Sequence, residues 1–362
     1  MSIKYKLGDI CFITKLSGFE YSKYLINKTK VGEVPLIQAS DINNNLLSLD
    51  KAFWITNDLS NFLIRSKPKE NDILFSYVGT VGNNYLVKKE NLHLGSNVAI
   101  IRASSIINSK FLYFFLNSKP FKKELNKYIK GTTQLNIKMK DIRSIKINLP
   151  DLKIQKSIIG IIEPIEDANK LLNLILQKTI LLFEKHYSLS NGSLIKFKEI
   201  AKIFIGGTPS TSNKLFWNGN IPWINSGKLT NHILSQKAEK NITECGLTKS
   251  ALANKYDVLF SIIEPDIFKV SFASENTAFN QSIARIETNK KLFFEIRKVM
   301  NYFKLIKNGA AQQSINKFLI ENSLLKIVSF DYSNVYKFII KINELINYYD
   351  NLKVTFINLL IK

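Results

Sequence analysis

The chain has 362 residues, 51 of them Lys or Arg and 29 Asp or Glu, for a formal net charge of +22. At 45% hydrophobic and 22% charged it can bury substantial cores, which excludes a disordered chain, and its length points to two domains rather than one. The cationic excess is the footprint of a polyanionic partner, nucleic acid or an anionic membrane, although a lysine-rich proteome with few arginines accounts for part of it.

No apolar run approaches the ~20 residues of a spanning helix. Residues 1–11 carry no signal-peptide core, so a cytoplasmic protein without membrane partners is expected. Cys11 and Cys245 are too few to frame a disulfide scaffold or a zinc site. From the N terminus, residues 34–39, 72–78 and 98–102 are short apolar runs bounded by turn residues and read as strands. Residues 110–130 read as helical. A long helix follows from about residue 155 to 187, where Ile158, Ile161, Ile165, Ala168, Leu172, Ile175, Thr179 and Leu182 alternate by threes and fours. Pro164 either opens the regular part of that helix or kinks it.

The same grammar then recurs. Residues 221–224, 258–263 and 283–286 read as strands and residues 291–307 as helix. A second long helix covers residues 333–362, with Val335, Phe338, Ile342, Leu345, Tyr349, Leu352, Phe356 and Leu359 in the same alternation. Four short matches in the same order make this a duplication. Asp72-Ile-Leu-Phe-Ser76 parallels Asp257-Val-Leu-Phe-Ser261, and Val34-Pro35-Leu36-Ile37 parallels Ile221-Pro222-Trp223-Ile224. Lys6-Leu-Gly-Asp-Ile10 parallels Lys196-Phe-Lys-Glu-Ile200, and Lys130-Gly131-Thr132-Thr133-Gln134 parallels Asn308-Gly309-Ala310-Ala311-Gln312.

The expected fold is α+β. Two mixed α/β domains, residues 1–150 and 191–331, are separated by two long spacer helices, residues 151–190 and 332–362. These pair as an antiparallel coiled coil, which makes the molecule a pseudo-twofold internal repeat. The alternative is that each helix packs only on its own domain. About 30 helical residues span about 45 Å, enough to hold two readers one duplex turn (~34–36 Å) apart.

Residues 205–228 run Ile-Gly-Gly-Thr-Pro-Ser-Thr-Ser-Asn-Lys-Leu-Phe-Trp-Asn-Gly-Asn-Ile-Pro-Trp-Ile-Asn-Ser-Gly-Lys. Gly206, Gly207 and Gly219 allow positive φ and tight turns. Thr208, Ser210, Thr211, Ser212 and Asn213 are short donors and acceptors, and Lys214 and Lys228 can neutralise phosphates. A surface turn beside a small core of Trp217, Pro222 and Trp223 fits the same residues. The glycines of residues 130–136 and 308–314 are natural helix C-caps. Gln134, Asn136, Gln312 and Gln313 can read adenine edges through their amides, or simply form capping loops. Lys15, Lys23, Lys88 and Lys89 with Tyr21, Tyr24 and Tyr77 form a looser basic-aromatic set, mostly of ordinary surface residues.

The 205–228 segment resembles the target-recognition-domain signature of type I restriction-modification DNA specificity subunits. Gly206-Gly207-Thr208-Pro209-Ser210, Trp217-Asn218-Gly219 and Ile221-Pro222-Trp223 match it position by position. Leu149-Pro150-Asp151-Leu152 with Gln155 resembles the start of that family's central conserved region. The first half departs from the pattern, with Thr14-Lys15-Leu16-Ser17-Gly18 where the glycine run would stand. The resemblance implies a non-catalytic reader of a bipartite double-stranded DNA target, one half-site per domain. It implies two methyltransferase subunits docked on the spacer helices and restriction-translocase subunits beyond them. S-adenosylmethionine, and ATP with Mg, would then sit on those partners and not on this chain. Ile158, Ile165, Leu172, Ile175 and Leu182, with Phe338, Ile342, Leu345, Leu352, Phe356 and Leu359, are the expected coiled-coil and partner residues.

Catalytic motifs are missing from the residues themselves. No Asn-Pro-Pro-aromatic tetrapeptide, no Gly-x-Gly cofactor loop and no phosphate-binding Gly-Lys-Ser run is present. His93, His186 and His232 have no metal-ligand spacing, and Glu264 and Asp266 lack a nuclease lysine. Two other readings stay open: the recognition part of a fused methyltransferase-nuclease, and a coiled-coil scaffold without a DNA role.

Overall fold

The computed structural model describes residues 3–25, 28–43, 45–132, 134–230, 233–263, 268–287, 292–307, 315 and 317–361. The chain divides into two units, Met1–Ala168 with Tyr349–Lys362, and Asn169–Tyr348. Each contains a mixed α/β body and part of two long helices. Among the described residues no helix is long and apolar enough to cross a membrane.

Unit 1 begins with β1 (Ile3–Lys6), α1 (Leu7–Ile10), β2 (Cys11–Lys15) and α2 (Gly18–Tyr24). It continues through β3 (Val34–Ile37), the small hairpin β4 (Ile42–Asn43) and β5 (Leu46–Leu47), β6 (Phe53–Ile55) and α3 (Asn57–Phe62). Strands β7 (Ile73–Ser76), β8 (Asn84–Leu86), β9 (His93–Leu94) and β10 (Val98–Ala103) come next. Helices α4 (Ser109–Asn117), α5 (Lys119–Asn126) and α6 (Met139–Ser144), then β11 (Lys146–Leu149), lead into α7 (Leu152–Leu189). The single helix expected over residues 110–130 is two, because Ser118 takes extended backbone and caps α5 through its Oγ, with Pro120 in the first turn.

Four strands form an antiparallel sheet in the order β2-β10-β7-β8. One face packs on α4 and α5 through Ile73, Phe75, Phe111, Phe115 and Phe121. The other face, with Leu74, Val98 and Ile100, covers a second sheet, β6-β3-β9. Unit 2 repeats the plan with β12 (Gly192–Lys196), α8 (Phe197–Ile200), β13 (Lys202–Ile205), β14 (Trp217–Ile224), β15 (Lys240–Ile242), α9 (Glu244–Leu247) and β16 (Ala251–Ala253). Then follow β17 (Val258–Ser261), β18 (Val270–Phe272), β19 (Thr277–Phe279), β20 (Ile283–Glu287), α10 (Phe293–Lys307), α11 (Lys317–Glu321), β21 (Leu324–Val328) and α12 (Ser333–Leu360). Its sheets β12-β21, β13-β20-β17-β18 and β15-β14-β19-β16 match β1-β11, β2-β10-β7-β8 and β6-β3-β9 strand for strand, with β16 added.

The duplication extends to a polar device that ties the aspartates of one sequence match to residues outside all four. Arg102 clasps Asp72 through two 2.7 Å hydrogen bonds, and Arg285 donates to Asp257 at 3.2 Å. Each aspartate also accepts the backbone N–H three residues earlier, from Lys69 or Asn254. Each arginine lies over a phenylalanine of the neighbouring strand, Phe12 or Phe204. The residues before the aspartates, Asn71 and Tyr256, both adopt left-handed backbone, φ 69° and 71°. These carboxylates hold a strand end in place, so the Asp-x-Leu-Phe-Ser repeat is structural.

The long helices are continuous with these cores. In unit 1 Ile158, Ile159 and Ile162 of α7 and Ile357 and Ile361 share one cluster with α4 and α5. Gln155, fully buried, accepts from Asn108 N and donates to the Ile106 and Pro150 carbonyls. In unit 2 Phe183 stacks on Phe294 at 4.1 Å and meets Tyr332 edge-on at 4.4 Å. Asn169 at the other end of the segment donates to the Ile346 carbonyl, so the two helical segments of unit 2 run antiparallel. Pro164 lies inside the uninterrupted α7 and does not begin it.

The seam is not the one that the heptad pattern predicts. The buried residues of α7 are Gln155, Ile158, Ile159, Ile162, Asn169, Leu176, Phe183 and Tyr187, with Ile165 and Leu172 half-buried. Those of α12 include Tyr336, Ile339, Ile340, Ile342, Asn343, Ile346 and Ile357, with Leu345, Leu352 and Phe356 half-buried. Ile175, Leu182, Phe338 and Leu359 are exposed, Leu182 by 68%. In both helices one of the two alternating positions stands as expected and the other falls one residue later. The helices are apolar on several sides, and each segment packs on a domain as well as on the other helix, so the interval pattern alone does not select the seam.

Phe183→Ala is expected to cost about 3–5 kcal/mol in urea unfolding, and Leu182→Ala less than about 0.5 kcal/mol; equal losses would put Leu182 in the seam. His93 is wholly buried on β9, with Nδ1 3.1 Å from Ser60 Oγ, and burial lowers its pKa to about 4. The unfolded chain therefore takes up this proton first as the pH falls, and unit 1 should lose stability between pH 6.5 and about 4. The loss is at most ~3 kcal/mol, and His93→Gln should flatten that part of the stability curve; an unchanged slope refutes the assignment.

Candidate nucleic-acid interface

Register places three segments at one end of the first sheet of unit 1. Lys15 pairs with Ala99, and Ser76 pairs with Val98, so β2 and β7 finish together. Lys15 Nζ stands 5.2 Å from the Tyr77 ring. Residues 130–132 and 134–137 close on the same end. Lys130 and Asn136 bridge each other, Gly79 N donates to the Leu135 carbonyl at 2.7 Å, and Ile137 N donates to the Tyr77 carbonyl at 3.0 Å. Gly131 does not cap a helix, since α5 ends at Asn126. It sits at φ 95° inside this turn, where a Cβ would stand 2.3 Å from the Gln134 carbonyl. Gln134 is exposed and Asn136 half-buried, so the fold brings Lys15, Gln134 and Asn136 together. Lys88 and Lys89 are exposed but follow Val87, which pairs with Asn71 and Asp72 at the opposite end of the hairpin.

Unit 2 has the same convergence. Ile205 pairs with Ala284 and Ser261 with Ile283, so the 206–213 loop leaves β13 where β17 ends. Ile315 N donates to the Ile262 carbonyl at 2.8 Å, the counterpart of the Ile137–Tyr77 bond. Gln312 and Gln313 lie outside the described residues, as do Thr133, His232, Glu264 and Asp266.

The glycines of this loop serve close approach and not positive φ. A Cβ on Gly206 would stand 2.1 Å from the Phe279 carbonyl oxygen, and one on Gly207 2.1 Å from that of Lys249. The left-handed residue here is Asn218, φ 63°. Both tryptophans brace the loop. Trp223 Nε1 donates to the Gly207 carbonyl at 3.2 Å and Trp217 Nε1 to that of Ser210 at 3.0 Å, and the rings meet edge-on at 5.2 Å. With the backbone so held, Thr208, Ser210, Thr211, Ser212 and Lys214 are exposed, while Asn213 caps the turn at Leu215. Lys228 is mostly covered and paired with Glu239.

Two residues join the site that sequence reading did not select. Gln281, exposed on the β19–β20 turn, accepts from Thr208 Oγ1. Lys240 lies over the Trp217 ring, and both line a shallow cavity of about 560 Å³ with Thr211, Asn218, Gly219, Glu239 and Asn241. Only the pairing of β13 with β20 and of β14 with β15 brings them there, so no local motif marks them. Among the described residues, no group of three His, Cys, Asp or Glu side chains is arranged to hold a metal ion. What this surface offers is exposed hydroxyls, amides and ammonium groups on a backbone fixed from beneath, a chemistry of hydrogen bonding and phosphate neutralisation.

Gly206→Ala should therefore cost about 1–3 kcal/mol in urea unfolding. Gly160→Ala in α7, where a Cβ meets nothing within 4 Å, should stabilise by about 0.5–1 kcal/mol. Tolerance of both alanines would show that the loop is not held as described.

Comparison with known proteins gives a consistent pattern. The sequence profile described as "Type I restriction modification DNA specificity domain" matches residues 3–180 and again 193–349. The specificity subunit of the type I restriction enzyme EcoBI of Escherichia coli is 28% identical over 132 residues, 36% of this chain and 28% of that protein. That of the MjaIX enzyme of Methanocaldococcus jannaschii is 29% identical over 168 residues, 43% of this chain and 37% of that protein. The aligned part of the chain thus spans less than two fifths of either relative. The crystal structure of a type I restriction-modification S subunit from M. genitalium superposes with a TM-score of 0.54 at 12% identity, covering 100% of this chain and 96% of that one, a likeness of fold.

Proposed function

This chain belongs to the type I restriction modification DNA specificity domain family, and on that premise we propose that it is a non-catalytic DNA-reading subunit in which each unit reads one half of a bipartite target. The observation that carries the reading is the duplication. The profile matches twice, on two units of the same topology, and each unit gathers polar and cationic loops at the same end of its first sheet. Phosphate contacts supply affinity and amide or hydroxyl contacts to base edges supply the sequence preference. Lys15, Gln134 and Asn136 are the candidate contacts in unit 1. In unit 2 they are Thr208, Ser210, Thr211, Ser212, Lys214 and Gln281.

The partners proposed are methyltransferase subunits, two of them, and restriction-translocase subunits, acting in the cytoplasm. S-adenosylmethionine, and ATP with Mg, belong to those subunits in this reading. Exposed apolar residues on the unit 2 part of α7, Leu171, Leu174, Leu181 and Leu182, support a protein partner on that helix, since contiguous exposed apolar surface marks an interaction site.

Mapping of modified bases in cells with and without this chain tests the proposal. Loss of adenine methylation at one bipartite motif is expected, and replacement of residues 1–150 by those of a relative should change one half of that motif. An unaltered methylation pattern, with the partner genes intact, would overturn the reading.

A further inference from the structure

The two units carry the same feature at the same topological place, built from different residues. Strand β6 is the edge of the second sheet in unit 1, and β15 holds that place in unit 2. The registers correspond. Val34, Pro35 and Leu36 face Ile55, Trp54 and Phe53, as Ile221, Pro222 and Trp223 face Ile242, Asn241 and Lys240. On the unit 1 edge, Lys30 Nζ lies 3.9 Å and Lys28 Nζ 4.5 Å from the centroid of the half-buried Phe53 ring, and Lys28 also donates to Tyr21 Oη at 3.3 Å. On the unit 2 edge the roles are exchanged. The lysine, Lys240, is on the edge strand, and the ring 5.8 Å away belongs to Trp217 of the next strand.

Among the described residues no carboxylate lies within ion-pair distance of Lys28, Lys30 or Lys240. Glu239, beside Lys240, is taken by Lys228. As a stabilising contact an exposed cation over a ring is worth only about 0.5–1 kcal/mol, so stability gives little reason to hold this combination at both edges. A phosphodiester does give one. The ammonium neutralises the phosphate, and the ring keeps the lysine stem low against the surface and covers the flank of the sugar. Charge and aromaticity are common to both edges while the residues that supply them differ, and that suits a ligand recognised by charge and not by base identity.

We propose that the β6 and β15 edges are auxiliary DNA-backbone contacts that grip duplex phosphates irrespective of sequence, through Lys28 and Lys30 in unit 1 and Lys240 in unit 2. The inference rests on the DNA-reading function proposed above.

Binding of the full-length chain to two unrelated mixed-sequence duplexes, followed by fluorescence anisotropy over a range of salt concentrations, tests it. The slope of log K against log salt should become shallower by about 2 for Lys28→Ala with Lys30→Ala and by about 1 for Lys240→Ala, equally on both duplexes. Lys122→Ala with Lys123→Ala removes the same charge from exposed positions on α5, on the other face of the first sheet from β6, and should keep the parent slope. Parent-like slopes for the edge variants would overturn the inference. So would an equal flattening by the α5 pair, which would mean a diffuse field and not a site. A parent chain that binds neither duplex at low salt would overturn the DNA-reading function itself, and this inference with it.

Discussion

The long helices have no core that is theirs alone, and the rest of the structure depends on that. Burying an amphipathic helix requires another apolar surface, and here every segment finds it in a domain as well as in the other helix. Phe183 lies against Phe294 of α10 and Tyr332 at the start of α12; Ile158 and Ile162 join Phe111 and Phe121 beneath the unit 1 sheet. Where the backbone turns into α7, the wholly buried Gln155 amide meets three backbone polar groups at once, and that amide would cost about 1–3 kcal/mol if left unpaired. Each domain is therefore welded to its piece of the helix pair, and neither helix can leave without opening a core.

A second economy lies in the division of each four-stranded sheet into a fixed end and a variable end. The Asp–Arg clasps with their phenylalanines, the left-handed Asn71 and Tyr256 and the aspartate turns are repeated position for position at one end. The opposite end is free to differ. Unit 1 follows β2 with a Ser17-capped helix, and unit 2 follows β13 with a loop pressed so close to β19 that only glycine fits. A scaffold that keeps its skeleton while changing its loops is what two readers of different half-sites require.

Much of this was legible in the sequence. Strands bounded by turn residues, the duplication and both long helices follow from local pattern and self-similarity, signals that need no knowledge of pairing. The seam was half legible. Ile158, Ile165, Leu172 and Ile342 are at least half-buried, but Ile175, Leu182, Phe338 and Leu359 are exposed, because α7 and α12 have apolar residues to spare on several sides. The glycines of the 206–213 loop were visible and their reason was not, since close approach to Phe279 and Lys249 depends on a distant strand. Gln281 and the lysine-aromatic edges escaped for the same cause. Lys30 and Phe53, or Trp217 and Lys240, become neighbours only once the edge strands are in register.

The division of the helices also bears on the order in which the molecule is made. The core of unit 1, assembled from the first 168 residues, is closed by Ile357 and Ile361, and Asn358 holds the N terminus of α5 through Lys119 N. Unit 2 is a single run of chain, Asn169–Tyr348. During synthesis the unit that leaves the ribosome first is thus the last to be completed, with a long loop to close before its final apolar contacts form. Until then its cluster under α4 and α5 stands open, and a chain arrested before residue 349 would carry a finished second unit beside an unfinished first.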